Sequence, residues 1–196
     1  MDRGYESMTI QDAFILSKVM ANVKTAKRLM ELLTGQKIYK IQYEKNNIVE
    51  YVEGTKGISV ELHMADAKQS VWKTELYLAT RDVFKEGRAV YHFREQCYEV
   101  PRLELPGGVH RIFVCATKES AETVKDEGMK AFLHYMLHPE EKGSNLVKML
   151  EDEVKRIKAN RIYEKEYRQM RYEETETSQR EYARQKIREY DNRRHK

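Results

Sequence analysis

The spacing of apolar and polar positions predicts helices at both ends of the chain and strands between them. Apolar residues recur at helical spacing over residues 9–20 and again over residues 23–33. Asn22 is placed to cap the second of these helices, and Gly35 stands where a helix-ending glycine belongs. The chain is therefore expected to begin with two consecutive helices.

Short segments typical of strands follow these helices. The clearest covers residues 57–64, where Ile58, Val60, Leu62 and Met64 alternate with Ser59, Glu61 and His63. This alternation predicts a strand with one face in the core and Glu61 on the other face. The remaining strand-like segments are residues 37–44, 71–80, 89–94 and 110–116.

Helical spacing returns in the last third of the chain. It predicts a helix over residues 120–138 and a second one from Asn145 almost to the end, charged and tyrosine-rich beyond Asn160. Helices on both sides of a run of strands predict an α/β (α+β) fold, with a mixed sheet flanked by helices and a long charged C-terminal helix. The expected domains are residues 1–143 and a helical extension, residues 144–196.

Charge is concentrated in the C-terminal part of the chain. Residues 151–196 hold 14 Lys and Arg and 11 Asp and Glu, whereas the whole chain carries a formal net charge of +4. This mild excess permits contact with a nucleic-acid backbone but does not require it. The near balance of signs favours a solvated or self-associating C-terminal helix, so a homo-oligomer or a protein partner is expected there.

The remaining composition favours a cytoplasmic protein. Cys97 and Cys115 are the only cysteines, which is too few for a disulfide framework and fits a reducing compartment. The first ten residues lack the apolar segment of a signal peptide, and no run approaches 18 apolar residues. No contact with a membrane is expected.

Several segments, in this order, resemble one known family. They are residues 9–20 (TIQDAFILSKVM), 26–41 (AKRLMELLTGQKIYKI), 84–93 (FKEGRAVYHF), 95–101 (EQCYEVP), 103–108, 111–114 and 130–135. The chain resembles the Rpn family of recombination-promoting nucleases and transposases, within the PD-(D/E)XK nuclease superfamily. The resemblance implies a restriction-endonuclease-like fold and Mg²⁺-dependent DNA cleavage.

The resemblance also implies where the metal ligands should be. Family members place an Asp on one strand and a Glu on the next, with Lys or Gln two residues after the Glu, and hard carboxylate oxygens suit Mg²⁺. Glu61 occupies the Asp position here. Its stem is one methylene longer, and a displacement of about an ångström costs on the order of 10²-fold in rate. The plainer interpretation is that Glu61 is only the polar half of an alternating strand.

The second acid is open to two alignments. In one, Trp72 to Tyr77 is the family's acidic strand, so Glu75 is the ligand and Tyr77 replaces the Lys or Gln, with Lys73 as a weak further candidate. In the other, residues 74–84 correspond to a later strand, and a deletion between Lys68 and Val71 has removed the second acid. We favour the second alignment, although neither leaves an intact catalytic set.

Other metal sites receive little support from the sequence. His134 and His138 are four residues apart on a predicted helix, but no accompanying acid supports a shared ion, and both are expected at the helix C-terminus. Cys97 and Cys115 lack zinc-site spacing. The sequence therefore predicts a degenerate nuclease-family protein acting through DNA or protein binding. The alternatives are an active Mg²⁺-dependent endonuclease of the Rpn type and a self-associating regulator of an intact family member.

Overall fold

The structure is a computed structural model that describes residues 4–43, 47–52, 55–65, 70–103, 105, 108–140 and 143–194. It shows a mixed α/β fold with a six-stranded sheet flanked by helices. By its internal contacts the chain separates into two compact units, Met1–Ile157 and Lys158–Lys196. This boundary lies further along the chain than residue 143, where the sequence placed it.

The first unit opens with two helices, as expected. A short 3-10 turn at Tyr5–Ser7 precedes α1 (Ala13–Ala21) and α2 (Val23–Thr34). The Asn22 side chain accepts a hydrogen bond from the backbone N–H of Thr25, and Gly35 ends α2 with φ of 65°. Both predicted caps are confirmed. The first helix starts later than expected because Asp12 is its N-cap and accepts from the N–H of Thr9.

The sheet has the order β1-β3-β4-β6-β5, and β2 also pairs with β3. Its strands are β1 (Ile38–Gln42), β2 (Ile48–Val52), β3 (Thr55–Met64), β4 (Val71–Ala79), β5 (Val90–Phe93) and β6 (Val109–Cys115). Only the β4–β6 pair is parallel among the recorded pairings, so the sheet is mixed, as the sequence predicted.

The long strand β3 organises one side of the sheet. Its C-terminal half pairs with β1, where Gln42 lies opposite Glu61, and its N-terminal half pairs with β2, where Ile48 lies opposite Ile58. The other edge of β3 pairs along most of its length with β4. The strand β2 was not predicted, because its five residues, IVEYV, are too few for a clear period.

One face of the sheet is apolar and buried. It carries Ile58, Val60, Leu62 and Met64 of β3, as the alternation predicted, and Leu76 and Ile112 of the neighbouring strands. The helix α1 contacts β2 and β3, and α2 contacts β1. Alternate residues of a strand point to opposite faces, so Glu61 and its neighbours at odd positions of β3 lie on the second face.

That second face divides into an aromatic half and a polar half. In the aromatic half, Tyr77, Phe113 and Cys115 form a buried cluster, against which Val49, Val83, Phe84 and Tyr91 pack. The loop after β4 brings Phe84 within 4.9 Å of the Phe113 ring, measured between centroids. The polar half contains the sequence-predicted site residues.

The helices after the sheet are shorter and more numerous than expected. Two helices, α3 (Lys118–Thr123) and α4 (Glu127–Leu137), stand where one was predicted over residues 120–138. The second begins anew because the Asp126 side chain caps it by accepting a hydrogen bond from the N–H of Met129. The next helix, α5 (Asn145–Lys158), buries Val147, Leu150, Val154 and Ile157. The Tyr5 hydroxyl donates to the carbonyl of Ile157 and so ties α5 to the N-terminus.

The second unit consists largely of α6 (Arg161–Arg194), a long charged helix as expected. The single helix predicted from Asn145 is interrupted between Lys158 and Arg161. Ion pairs between residues three or four apart run along α6: Glu164–Arg168, Arg171–Glu174 and Glu176–Arg180. Each such pair stabilises an isolated helix by roughly 0.2–0.5 kcal/mol. No helix in the described part of the chain has both the length and the apolar character needed to cross a bilayer.

Candidate functional site

The two predicted acids lie on neighbouring strands and on the same face of the sheet. In the antiparallel β3–β4 pair, Glu61 lies opposite Lys73, and Ser59 lies opposite Glu75. Glu61 and Glu75 are therefore diagonal neighbours across the two strands, a position for which Cα atoms are roughly 7–8 Å apart. This register places both side chains on one face of the sheet. Glu61 and Lys73 are exposed, whereas Glu75 is only partly exposed.

A residue on a third strand, β6, forms an ion pair with the Glu75 carboxylate. In the parallel β4–β6 pair, Arg111 lies opposite Glu75, and its Nε donates to the Oε2 atom of Glu75 at 2.8 Å. The hydroxyl of Tyr77, two residues along β4, donates to the same oxygen at 2.9 Å. Glu95 also approaches Arg111, at 3.9 Å. The carboxylate of Glu75 is thus already held by a guanidinium and a phenol.

Tyr77 connects this polar group to the aromatic half of the face. Its ring is buried and stacks on Phe113 with centroids 4.5 Å apart and an interplanar angle of 9°. Burial, together with the hydrogen bond to the Glu75 carboxylate and its negative charge, raises the pKa of Tyr77 well above its usual value. Tyr77 therefore remains a neutral donor to Glu75 at physiological pH, which is a structural role.

The arrangement does not fit a magnesium site as it stands. Mg²⁺ takes anionic or neutral oxygen ligands, and the negative charge of Glu75 is compensated by the guanidinium of Arg111. Lys73 places a second cation opposite Glu61 in the register. Across the described residues, no three His, Cys, Asp or Glu side chains are grouped so that they could hold a metal ion.

The other candidate ligands are dispersed. His134 lies in the last turn of α4 and His138 is its C-cap, so both sit at a helix C-terminus, as expected. Cys97 and Cys115 are free thiols, and burial raises the pKa of Cys115. The gap inferred between Lys68 and Val71 falls mainly on residues outside the described ones, and it stays a prediction.

Arg111, the residue whose ion pair engages the Glu75 carboxylate, was not identified from the sequence. Arg111 and Glu75 are separated by 36 positions and meet only because β6 pairs in parallel with β4. No local spacing encodes such a pairing. A usable signal was present in the alternation of the two strands, since Glu75 and Tyr77 on β4 repeat the polar–aromatic order of Arg111 and Phe113 on β6.

We expect Arg111→Gln to lower the free energy of unfolding by about 1–2 kcal/mol, because Glu75 would lose its charged partner at a half-buried position. The effect should shrink when Glu75→Gln is added, since the uncompensated carboxylate is then gone. Arg180→Gln, which breaks an exposed ion pair on α6, is the control and should change stability by less than about 0.5 kcal/mol. Urea denaturation of the wild type and these three variants measures this, and equal losses in Arg111→Gln and Arg180→Gln would contradict it.

The helices and strands that contain segments resembling the Rpn family are α1, α2, β1, β5, β6 and α4, all in the first unit. Comparison with known proteins adds no relative to this resemblance. No family model, no curated protein and no solved structure matches the chain.

Proposed function

We propose that this chain is a catalytically impaired protein of the Rpn type that binds DNA without cutting it. The observation that carries the proposal is the ion pair between Glu75 and Arg111, reinforced by the Tyr77 hydroxyl. A metal-dependent nuclease needs its second carboxylate free to bind Mg²⁺ and to stabilise charge on the scissile phosphate. Here Glu75, the only acid on the next strand β4, is held in a structural ion pair instead.

The energetics favour this structural use of Glu75. To bind a metal, the carboxylate would have to give up two charge-assisted hydrogen bonds, one of them from a guanidinium. Arg111 would then lie partly buried without its closest anion, which is a costly state. The family's Asp is also replaced by Glu61, so both ligand positions depart from the nuclease pattern.

Charge supports DNA as the ligand. The chain has a formal net charge of +4 and a sequence pI near 8.9. An excess of cations suits a phosphate backbone, and ionic binding of this kind should weaken steeply with salt.

In an electrophoretic shift assay at low salt, the protein should retard a labelled DNA duplex equally in Mg²⁺ and in a chelator. Rising salt should release the duplex, because the contacts are ionic. If no DNA is retarded at any salt concentration, the proposal fails, and a protein is the more plausible ligand. Binding that requires Mg²⁺ would also contradict it.

An active nuclease is the second candidate, and one observation favours it. Glu61 is exposed and shares a sheet face with Glu75 on the neighbouring strand, which is the arrangement that the family chemistry uses. This candidate requires Glu75 to leave Arg111 when Mg²⁺ and DNA bind. It predicts metal-dependent cleavage that disappears in Glu61→Ala.

A role in self-association, or in regulating an intact family member, is the third candidate. Tyr163, Tyr167 and Met170 of α6 are half-buried and are spaced by four and three residues, as on one side of a coiled-coil helix. Light scattering of the full chain tests it. A homo-oligomer, a protein partner at α6 and a cytoplasmic location all remain predictions.

A further inference from the structure

A positively charged concave surface of the first unit lies between α2 and α5. This α2–α5 groove has a volume of about 670 Å³ and is lined by Lys24, Arg28, Asn145, Leu146, Lys148, Met149 and Asp152. The α2 side contributes Lys24 and Arg28, which are one helical turn apart, with roughly 5–6 Å between their Cβ atoms. The α5 side contributes Lys148, so three cations face a single carboxylate, Asp152.

The other acids of these two helices are engaged elsewhere. Glu31 accepts a hydrogen bond from the N–H of Ile38 and pairs with Lys37. Glu151 pairs with Lys155. Glu153 pairs with Arg156 and accepts from the Asn22 side chain. Among the residues that the structure describes, Asp152 is thus the only acid that lines the groove, so the positive charge of the groove is not cancelled.

The cations also occupy positions that a helix does not favour. Lys24 is the second residue of α2 and Lys148 is the fourth residue of α5, and the first turn of neither helix contains an acid. The partial positive charge of a helix N-terminus disfavours nearby cations by about 0.3–1 kcal/mol each. Both helix ends therefore add to the positive potential of the groove, and a bound anion would relieve the repulsion.

We propose that the α2–α5 groove is the surface that binds the phosphate backbone of DNA. This inference rests on the proposed function and assigns it a place distinct from the Glu61–Glu75 face. Lys24 and Arg28 would contact phosphates of one strand, with Lys148 facing them from α5. Leu146 and Met149 give the groove an apolar lining against which sugar carbons can pack.

The test replaces the three groove cations together, as Lys24→Gln, Arg28→Gln and Lys148→Gln. The control variant removes three exposed cations outside the groove, Lys118→Gln, Lys125→Gln and Arg180→Gln, so that both variants have the same net charge. Dissociation constants for a fluorescein-labelled duplex are measured over a series of salt concentrations. Thermal unfolding of both variants verifies that each is folded.

For B-DNA the slope of log K against log salt is about −0.9 for each neutralised phosphate. The groove variant should bind at least about 10-fold more weakly at low salt, with a slope shallower by about 2–3. The control variant should stay within about 2-fold of wild type. Equal losses in the two variants would overturn the assignment, because net charge alone would then explain binding.

Two further outcomes separate this inference from the proposed function. If the wild-type protein binds DNA and the groove variant binds it equally well, the groove assignment is overturned and the proposed function stands. If the wild-type protein does not bind DNA but binds polyglutamate, and the groove variant loses that binding, both proposals are overturned. The groove is then a docking site for an acidic protein.

Discussion

Gly57→Ala is expected to lower the free energy of unfolding by about 3 kcal/mol or more, the upper end of the usual cost of overpacking. Gly57 lies in β3 opposite Tyr77 of β4. A Cβ atom at this position would lie 2.3 Å from the carbonyl oxygen of Leu76 and 2.5 Å from Cδ1 of Tyr77. Both distances are far below van der Waals contact.

Neither neighbour can move aside easily. The Leu76 carbonyl belongs to a strand that pairs on both sides, with β3 and with β6. The Tyr77 ring is stacked on Phe113, and its hydroxyl is bonded to Glu75. The strain should therefore spread from the aromatic cluster to the Glu75–Arg111 ion pair.

Gly4→Ala is the matched control, because an added Cβ there meets nothing within 4 Å. Urea denaturation should show a large loss for Gly57→Ala and a change of less than about 0.5 kcal/mol for Gly4→Ala. A Gly57→Ala variant as stable as wild type would mean that β3 and β4 are not packed as closely as described.

Phe113→Ala is expected to cost about 3–5 kcal/mol, the range for removing a fully buried phenylalanine. The Phe113 ring is 1% exposed. It stacks on Tyr77 and meets the edges of Phe84 and Phe93. Removing it would leave a cavity in the middle of the aromatic half of the face, and these rings are too constrained to fill it.

Phe93→Ala supplies the control within the same cluster. Phe93 is 42% exposed, so its removal gives up less buried area and leaves no enclosed cavity. We expect a loss of about 1–2 kcal/mol, clearly smaller than that of Phe113→Ala, in thermal or urea unfolding. Equal losses from the two substitutions would show that Phe113 is not the centre of the cluster.

Local signals in the sequence predicted much of the fold. The two α2 caps, Asn22 and Gly35, and the alternation of β3 have causes within a few residues along the chain, and all three are confirmed. The break between α3 and α4 was missed, although Asp126 is an ordinary N-cap residue. Apolar periodicity continues across the break, and it outweighed a single capping signal.

The candidate site was only half accessible to sequence reasoning. Alternation predicted that Glu61 lies on the polar face of β3, but the strand register that brings Glu75 to the same face was not predicted. The role of Glu75 depends on Arg111, and that contact requires the parallel pairing of β4 with β6. Long-range pairing of this kind is set by the topology of the whole sheet, so the change from a candidate metal ligand to a structural ion pair could be seen only in three dimensions.

The second face of the sheet thus combines a stabilising ion pair with an exposed acid, Glu61, on the neighbouring strand. The Glu75–Arg111 pair joins β4 to β6, and Tyr77 links that pair to the aromatic cluster. Glu61 stands apart from this network, exposed and opposite Lys73. If the proposed function holds, a variant of Glu61 should leave both folding and DNA binding intact.

Cleavage of supercoiled plasmid tests the central claim most directly. Wild-type protein, Glu61→Ala and Glu75→Gln are incubated at high concentration with plasmid in Mg²⁺, in Mn²⁺ and in a chelator. The account predicts that all three leave the plasmid supercoiled under every condition, because Glu75 is held by Arg111 and Tyr77. Metal-dependent nicking by the wild type that is lost in Glu61→Ala and Glu75→Gln would contradict it and would establish an active nuclease.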